Sequence, residues 1–308
     1  MEKSKHNLKY LNYFKFFNVD ENERPDIQIL QNMPNLTKMS INYCNCLEVF
    51  QTQIPEIVER VLTQLETLKL NSVSKLQSIG SEHSPWLKVI CNSEKLQQLH
   101  VVDCPDLKTL VPSTPSVSFT YVKKLYIDRC QELKYLFTLS AVNKLVNLEY
   151  IEVKDCESME AIVLKDENDI LKEIKLQRLE RIDLNLLSSL TCFYSGNNTL
   201  QLPSLMHVDI WVCPKMKFFS RGDIHLNSSF KGIQASNVSS DDLVFYRDLN
   251  SSVEKVFLQQ VTTSDSESIN YDLCLNEFKE YKTRTIVLKR CFIGTSDDKR
   301  IVIFTGVF

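Results

Sequence analysis

Three stretches of the chain decide its fold: LQQLHVVDC at residues 96–104, VKKLYIDRC at residues 122–130 and LEYIEVKDC at residues 148–156. Each follows the template L-x-x-L-x-L-x-x-C, with other aliphatic residues in place of some leucines, and successive cysteines are 26 residues apart. Self-similarity at a fixed period is the signature of a repeat architecture. These stretches therefore predict an array of leucine-rich repeats.

The same template recurs before and after these three copies. Seven good copies begin at Leu36, Leu65, Leu96, Val122, Leu148, Leu179 and Leu205. Weaker matches to all or part of the template begin at Leu8, Phe230, Val253 and Ile286. We therefore expect an incoming partial repeat in residues 1–34, seven well-defined repeats in residues 35–221, and degenerate repeats with a tail in residues 222–308.

The spacing within each copy predicts a short strand followed by a turn. Alternating apolar residues place two side chains on one face of the strand, while the residues between them face away. A single strand cannot bury its apolar face alone, but stacked copies form a continuous core and a parallel sheet. The predicted fold is an α/β, β-rich, right-handed leucine-rich repeat solenoid, with the parallel sheet on its concave face and loops and short helices on its convex face.

Two repeats carry helix signals after their strands. The stretch PEIVERVLTQL at residues 55–65 has apolar residues at helical spacing behind a proline. The stretch SAVNKLV at residues 140–146 begins with Ser140, which we predict to be the N-cap. We expect a short helix at each place.

Cysteine is frequent, and six of the ten cysteines occupy the ninth position of a copy. They are Cys44, Cys104, Cys130, Cys156, Cys213 and Cys291. Side chains that point the same way on stacked strands do not reach the near-perpendicular torsion of a disulfide, so we interpret these six as buried structural thiols. The sequence has no C-x-x-C pair, and we expect no zinc or other metal site.

Charge and glycine content argue against several classes of function. Lys and Arg together number 36 and Asp and Glu 39, a net charge of −3, so we expect neither nucleic acid nor an anionic membrane as a partner. The six glycines are too dispersed for a phosphate-binding loop, so we expect no nucleotide or other cofactor. The five histidines fall in different copies or loops, so we predict no catalytic residue and no enzymatic activity.

The sequence also predicts a cytoplasmic protein. The N-terminal stretch MEKSKHNLKYLNYFKFF has no uninterrupted apolar segment of the kind found in a signal peptide. No window approaches the ~20 apolar residues that a membrane helix requires. We therefore expect no membrane insertion.

The copies resemble the leucine-rich repeat region of plant intracellular nucleotide-binding, leucine-rich-repeat (NLR) disease-resistance proteins, especially the coiled-coil class. The resemblance covers about residues 25–258 and rests on the form L-x-x-L-x-I-x-x-C-x-x-L-x-x-[LF]. It is most marked in ELKYLFTLSAVNKLVNLEYIEVKDCESMEAIV at residues 132–163 and in LQRLERIDLNLLSSLTCFYSGNNTLQLPSLMHVDIWVCPKMKFFSRG at residues 176–222.

This resemblance implies a protein-binding part of an immune receptor that acts in defence and in autoregulation. The implied partners are a pathogen effector, a guarded host protein, or other domains of the same receptor. The nucleotide-binding module of that family carries a P-loop, and this sequence contains none. One alternative is the substrate-recruiting array of an F-box ubiquitin-ligase adaptor, which also uses cysteine at this position but typically continues with an I-T-D-like turn; a generic scaffold is another.

Strand residues that face away from the core are the expected place for a partner to bind. The predicted contact residues are Tyr43, Lys123, Lys124, Tyr126, Arg129, Glu149, Tyr150, Glu152, Asp155, Asp183, Asp209 and Trp211. They set a basic strip beside an acidic one, together with outward Tyr and Trp side chains, which are common interface anchors. Two alternatives stay open: the opposite charges only pair with each other, and Trp211 packs against its neighbours.

Overall fold

A parallel sheet of nine strands forms one side of the molecule. The computed structural model describes residues 8–17, 26–45, 56–79, 85–110, 119–165, 173–235 and 248–264. The nine strands are β1 (Tyr13–Phe17), β2 (Lys38–Cys44), β3 (Thr67–Val73), β4 (Gln98–Val102), β5 (Lys124–Asp128), β7 (Tyr150–Lys154), β10 (Arg181–Asn185), β13 (His207–Trp211) and β15 (Gly232–Ala235). Their order in the sheet is β1-β2-β3-β4-β5-β7-β10-β13-β15, so each repeat adds one strand beside the strand of the repeat before it.

Two smaller parallel sheets form from the segments that return between these strands. Their strands are β6 (Phe137–Thr138), β8 (Ala161–Leu164), β9 (Glu173–Lys175), β11 (Cys192–Tyr194), β12 (Thr199–Leu202) and β14 (Ile224–Leu226). One sheet has the order β11-β8-β6, and the other has the order β14-β12-β9. The predicted leucine-rich repeat solenoid is confirmed, but the later repeats return through short strands where we expected only loops and helices.

Helices occupy the returning segments of the earlier repeats. A 3-10 helix (Ile27–Asn32) contacts α1 (Glu56–Leu62), and α1 contacts α2 (Pro85–Cys91). The helix predicted in residues 55–65 is therefore confirmed. The next helix, α3 (Leu139–Val142), begins one residue before the predicted cap, and its N-cap is Thr138 instead of Ser140.

The apolar positions of the template form one continuous core. In the copy that contains β5, the three apolar residues Val122, Leu125 and Ile127 are each at most 2% exposed. Leu133 and Leu136, which follow the turn of that copy, are buried as well. Stacking the same positions in every repeat removes the apolar face of each strand from water, as the period-2 pattern requires.

The ninth-position cysteines belong to this core. Cys44, Cys104, Cys130, Cys156 and Cys213 are all buried, whereas Cys291 lies outside the described residues. The Cys130 backbone N–H donates to Cys156 Sγ at 3.4 Å, so one thiol accepts a bond from the turn of the repeat before it. Burial raises the pKa of the Cys213 thiol to about 12, which keeps it protonated and unreactive near neutral pH.

The residue before each ninth position adopts a left-handed backbone conformation. Its φ lies between 52° and 55° in Tyr43, Ser72, Asp103, Arg129, Asp155, Leu186 and Val212, and none of these is glycine. Its backbone N–H still bonds to the neighbouring strand. For example, the Arg129 N–H donates to the Lys154 carbonyl oxygen at 3.0 Å. The left-handed residue therefore turns the chain inward after the strand, at a cost that the stacked repeats offset.

Replacing Val212 by Asn is expected to stabilise the protein by about 1 kcal/mol. A β-branched residue is disfavoured at positive φ, whereas Asn tolerates that conformation. Urea unfolding of the purified chain measures the change. The control is Val102→Asn, because Val102 is a half-buried residue within β4 and gains nothing from Asn. An equal gain in both variants would contradict the conformational explanation.

The end of the described array is closed by a helix. The weak repeat copy that we expected from Val253 is wrong, because this segment forms α4 (Leu249–Ser264) and contacts β15. Asp248 lies directly before it, and Asp248 Oδ1 accepts a hydrogen bond from the Ser251 N–H at 2.8 Å. An N-terminal signal of this kind favours helix over strand. The division of the chain into three regions stays a prediction.

One face of α4 covers the core at this end. Leu249, Val253 and Val256 are at most 2% exposed, and they follow the spacing of successive helical turns. Asn250 Oδ1 accepts hydrogen bonds from the backbone N–H groups of Phe219 and Ser220, at 2.8 and 3.0 Å. The helix thus buries apolar surface and also satisfies backbone donors of the preceding repeat, as an end cap must.

Candidate protein-binding surface

A single row of side chains runs along the outward face of the nine-stranded sheet, across all nine strands. We call it the central ladder. Its residues, aligned by the strand register, are Lys15, Ser40, Lys69, His100, Tyr126, Glu152, Asp183, Asp209 and Gln234. Neighbouring members are about 4.8 Å apart because that is the spacing of strands in a sheet.

The predicted contact residues differ in exposure. Tyr43 and Arg129 are exposed, and Asp209 is buried. The half-buried residues are Lys123, Lys124, Tyr126, Glu149, Tyr150, Glu152, Asp155, Asp183 and Trp211. The prediction that Asp209 faces solvent is therefore wrong: it is only 7% exposed, because the Arg181 guanidinium lies against it.

Two polar residues on the outward side of β2 are also buried. Ser40 and Asn42 are 3% and 2% exposed. Asn42 Nδ2 donates to the Phe16 carbonyl oxygen at 3.2 Å and to Ser40 Oγ at 2.9 Å. Because their polar groups bond each other and the adjacent strand β1, these two side chains stabilise the β1 end of the sheet.

Aromatic rings occupy the middle of the central ladder. The rings of His100 and Tyr126 stack with centroids 4.2 Å apart, and Tyr126 meets Tyr150 edge-on at 5.4 Å. Burial and the charge of Lys69 lower the pKa of His100 to about 4, so this imidazole is neutral at neutral pH. The structure therefore brings the two predicted tyrosines together, whereas Trp211 lies on β13, beyond β10.

Carboxylates gather beyond the aromatic rings, and two side chains tie them together. The single hydroxyl proton of Tyr150 is shared between two acceptors, Glu152 Oε2 at 2.9 Å and Asp183 Oδ2. Arg181 Nε donates to Asp183 Oδ1 at 2.8 Å, and its Nη2 pairs with Asp209. Arg181 was not among the predicted contact residues. Its position two residues before Asp183, on the same face of β10, was the signal that could have identified it.

These contacts shift the ionisation of two groups. Burial, together with the adjacent Asp183 carboxylate, raises the pKa of the Tyr150 phenol well above its usual value. Burial and Asp183 also raise the pKa of Asp209 to about 7, although Arg181 acts in the opposite direction. The cluster of Glu152, Asp183 and Asp209 therefore holds more negative charge than Arg181 alone neutralises.

Asp209→Asn is expected to flatten the pH dependence of stability between about pH 4 and pH 7. The folded state keeps the Asp209 proton up to about pH 7, and the unfolded state loses it near pH 4, so the native chain becomes less stable as pH rises through this interval. The Asn variant lacks this loss, so from pH 5 to pH 8 it should lose about 1–2 kcal/mol less stability than the native chain does. Urea unfolding at pH 5 and pH 8 measures the difference.

The charges that surround Asp209 determine the control for this experiment. Arg181 and Asp183 face it from β10. His207 and Lys231 lie nearby, and burial, Lys231 and Arg181 together lower the pKa of His207. Asp223→Asn is the matched control, because Asp223 is an exposed carboxylate outside the cluster. If Asp209→Asn and Asp223→Asn changed the pH profile equally, the assignment to Asp209 would be wrong.

Part of the predicted basic strip pairs with its neighbours. Lys123 Nζ lies 3.4 Å from Glu149 Oε1, and Arg129 Nη1 lies 2.8 Å from Asp128 Oδ2. Within the described residues, no ion pair involves Lys15 or Lys69, although Lys15 Nζ lies 4.3 Å from the centre of the Phe17 ring. The lysines of the central ladder, which we had not selected, therefore carry more available charge than the predicted strip does.

The described residues offer little for other kinds of site. No cluster of three or more His, Cys, Asp and Glu side chains in the described ranges could hold a metal ion. Among the helices of those ranges, none is long and apolar enough to cross a membrane. The central ladder and its flanking residues are therefore the best candidate for a functional surface in this part of the chain.

This parallel stacking of short strands with a buried ninth position defines the chain as a leucine-rich repeat protein. Its sequence matches the family described as plant disease resistance protein RPS2-like, leucine-rich repeats, over residues 2–117 and 113–220. The chain therefore belongs to that family. This result favours the resistance-protein interpretation over the F-box alternative.

The chain is also similar to individual proteins in sequence and in structure. The chain is 29% identical over 136 residues to At4g10780 and 32% identical over 126 residues to At4g19050, both candidate disease resistance proteins of Arabidopsis thaliana. These matches cover 43% and 41% of this chain, but only 15% and 9% of the two relatives. A solved structure, the leucine-rich repeat domain of the type III effector XCV3220 (XopL), is similar to 78% of this chain and 83% of its own, with a TM-score of 0.44 and 16% identity.

Proposed function

We propose that this chain is the recognition and autoregulatory part of a plant immune receptor, and that it acts in the cytoplasm by binding protein without catalysing a reaction. The observation that carries the proposal is the outward face of the nine-stranded sheet, where half-buried tyrosines stand beside charged groups in a chain of the resistance-protein family. Aromatic side chains bury much area at a small entropic cost, which suits a protein interface. The partner would be a pathogen effector, a guarded host protein, or another domain of the same receptor.

Site-specific cross-linking in plant tissue tests this proposal. A photo-reactive phenylalanine analogue replaces Tyr126 on the central ladder, and in a matched control it replaces Lys134, an exposed residue after the turn of the same repeat. We expect a protein adduct from position 126 that is absent from position 134. Adducts at both positions, or at neither, would count against the proposal.

The partner identified by cross-linking then allows a quantitative test. The combined variant Tyr126→Ala, Tyr150→Ala and Trp211→Ala should weaken binding of that partner at least tenfold, because interface anchors of this kind each contribute ~1 kcal/mol or more. Calorimetry with the purified partner measures the loss. Unchanged affinity in the triple variant would show that the partner binds elsewhere.

A further inference from the structure

The central ladder changes its charge from one end to the other. Lys15 and Lys69 lie on β1 and β3, and Glu152, Asp183 and Asp209 lie on β7, β10 and β13. The neutral rings of His100 and Tyr126 separate the two groups on β4 and β5. The surface is therefore bipolar along the axis of the solenoid, and each end has one dominant sign of charge.

Residues beside the ladder reinforce this polarity. Lys38 lies on β2 in the basic half, and Lys124 lies on the adjoining β5. Glu149 and Glu180 directly precede β7 and β10 in the acidic half. Opposite charges are also present, such as Glu66 before β3 and Lys154 at the end of β7. They reduce the charge separation without removing it, because they lie on the edges of the sheet face and not on the ladder.

Neither end is neutralised by groups within the described residues. Burial and the like charge of Lys69 lower the pKa of Lys15, so these two ammonium groups act on each other across Ser40. At the other end, Arg181 is the single cation in the described ranges that bonds the carboxylates of Asp183 and Asp209, and Tyr150 supplies only one proton to Glu152 and Asp183. Like charges on adjacent strands repel each other, and a partner of opposite charge would relieve that repulsion.

We propose that the central ladder is a bipolar groove for a polypeptide segment that presents acidic side chains to Lys15 and Lys69 and basic side chains to Glu152 and Asp183. The inference rests on the proposed protein-binding function and specifies the kind of partner. Charge complementarity selects the occupant, since most residues of the central ladder are charged or aromatic.

The strand spacing sets the size of this partner. Lys69 is three strands from Glu152 and four from Asp183, which corresponds to about 14 and 19 Å at 4.8 Å per strand. An extended chain advances ~3.3 Å per residue, so the acidic and basic blocks of the segment would be separated by about four to six residues. A segment of roughly a dozen residues is sufficient to reach both ends.

Two synthetic peptides of identical composition test the groove. The block peptide has the sequence EEEEPPPPPKKKK, in which a polyproline spacer of ~16 Å keeps the acidic and basic blocks apart. The scrambled peptide alternates glutamate and lysine on both sides of the same spacer. We expect fluorescence anisotropy at 50 mM salt to show that the block peptide binds the full chain at least tenfold more tightly, and that 500 mM salt abolishes the difference.

Charge reversals assign the binding to the ladder. Lys69→Glu and Glu152→Lys should each weaken binding of the block peptide about tenfold, whereas the matched reversals Lys88→Glu in α2 and Glu132→Lys after β5 should leave it unchanged. Circular dichroism and the melting temperature check that all four variants fold. Equal binding of the two peptides, or equal effects of ladder and control reversals, would overturn the bipolar groove.

The cross-linking result at Tyr126 decides the proposed protein-binding function separately, because it depends on neither peptide.

Discussion

Leu125→Ala is expected to lower the free energy of unfolding by ~2–5 kcal/mol, the usual cost of truncating a buried leucine. Leu125 is 2% exposed and lies in register between Leu99 on β4 and Ile151 on β7. Its removal leaves a cavity in the middle of the array that only a shift of two neighbouring repeats could fill. Urea unfolding followed by circular dichroism measures the loss.

Tyr126→Ala is the matched control for this experiment. The residue is adjacent in sequence, but its side chain lies on the outward face of β5, where it is half-buried against His100 and Tyr150. We expect a loss of no more than about 1 kcal/mol, because only ring contacts on the surface disappear. The opposite pattern, a stable Leu125→Ala and an unfolded Tyr126→Ala, would show that the repeat register is wrong.

Val253→Asp is expected to have the second large effect, a loss of at least ~3 kcal/mol. Val253 is 1% exposed on the face of α4 that packs toward β15, and an aspartate there would bury a carboxylate in an apolar setting. Separation of α4 would also expose Ile233 and Ala235, which are 0% exposed in the intact structure. Thermal unfolding measures the loss, and binding of an apolar dye reports the exposed core.

Leu258→Asp provides the comparison for the helix. Leu258 is 55% exposed on the same helix, so a charge at this position costs little desolvation. We expect a change within about 0.5 kcal/mol and no increase in dye binding. If Val253→Asp were equally harmless, α4 would not be the cap of the solenoid core.

The strands and the core could be predicted because their signal is local. Leu125 and Ile127 alternate with Tyr126 and Asp128 within β5, and such alternation already separates a buried face from an outward one. The pattern recurs at nearly constant spacing, so every copy predicts the same kind of strand. A copy that departs from the template therefore does not change the predicted fold. This is why the parallel order of the sheet followed from residues 36–213 without any knowledge of contacts.

The candidate surface was less predictable because it depends on which side chains meet between strands. Sequence spacing placed Asp209 on the outward side of β13, but its burial depends on Arg181 of the neighbouring strand. The predicted strip of Lys123 and Arg129 pairs with Glu149 and Asp128, while the lysines at the other end of the ladder were not predicted. A long charged side chain can reach several possible partners. Which of them it contacts depends on residues of the neighbouring repeats, and the pattern of a single copy does not include those residues.

By itself, the sequence determined the repeat register, the outward and inward faces of each strand and the buried ninth position, because each follows from alternation within about ten residues. Only the tertiary structure decided the left-handed turn residues, whose strain is sustained by the stacked neighbours, and the helix that replaces a repeat at Val253. It also decided the order of charges along the central ladder, because residues about thirty positions apart in sequence become neighbours only when the repeats stack.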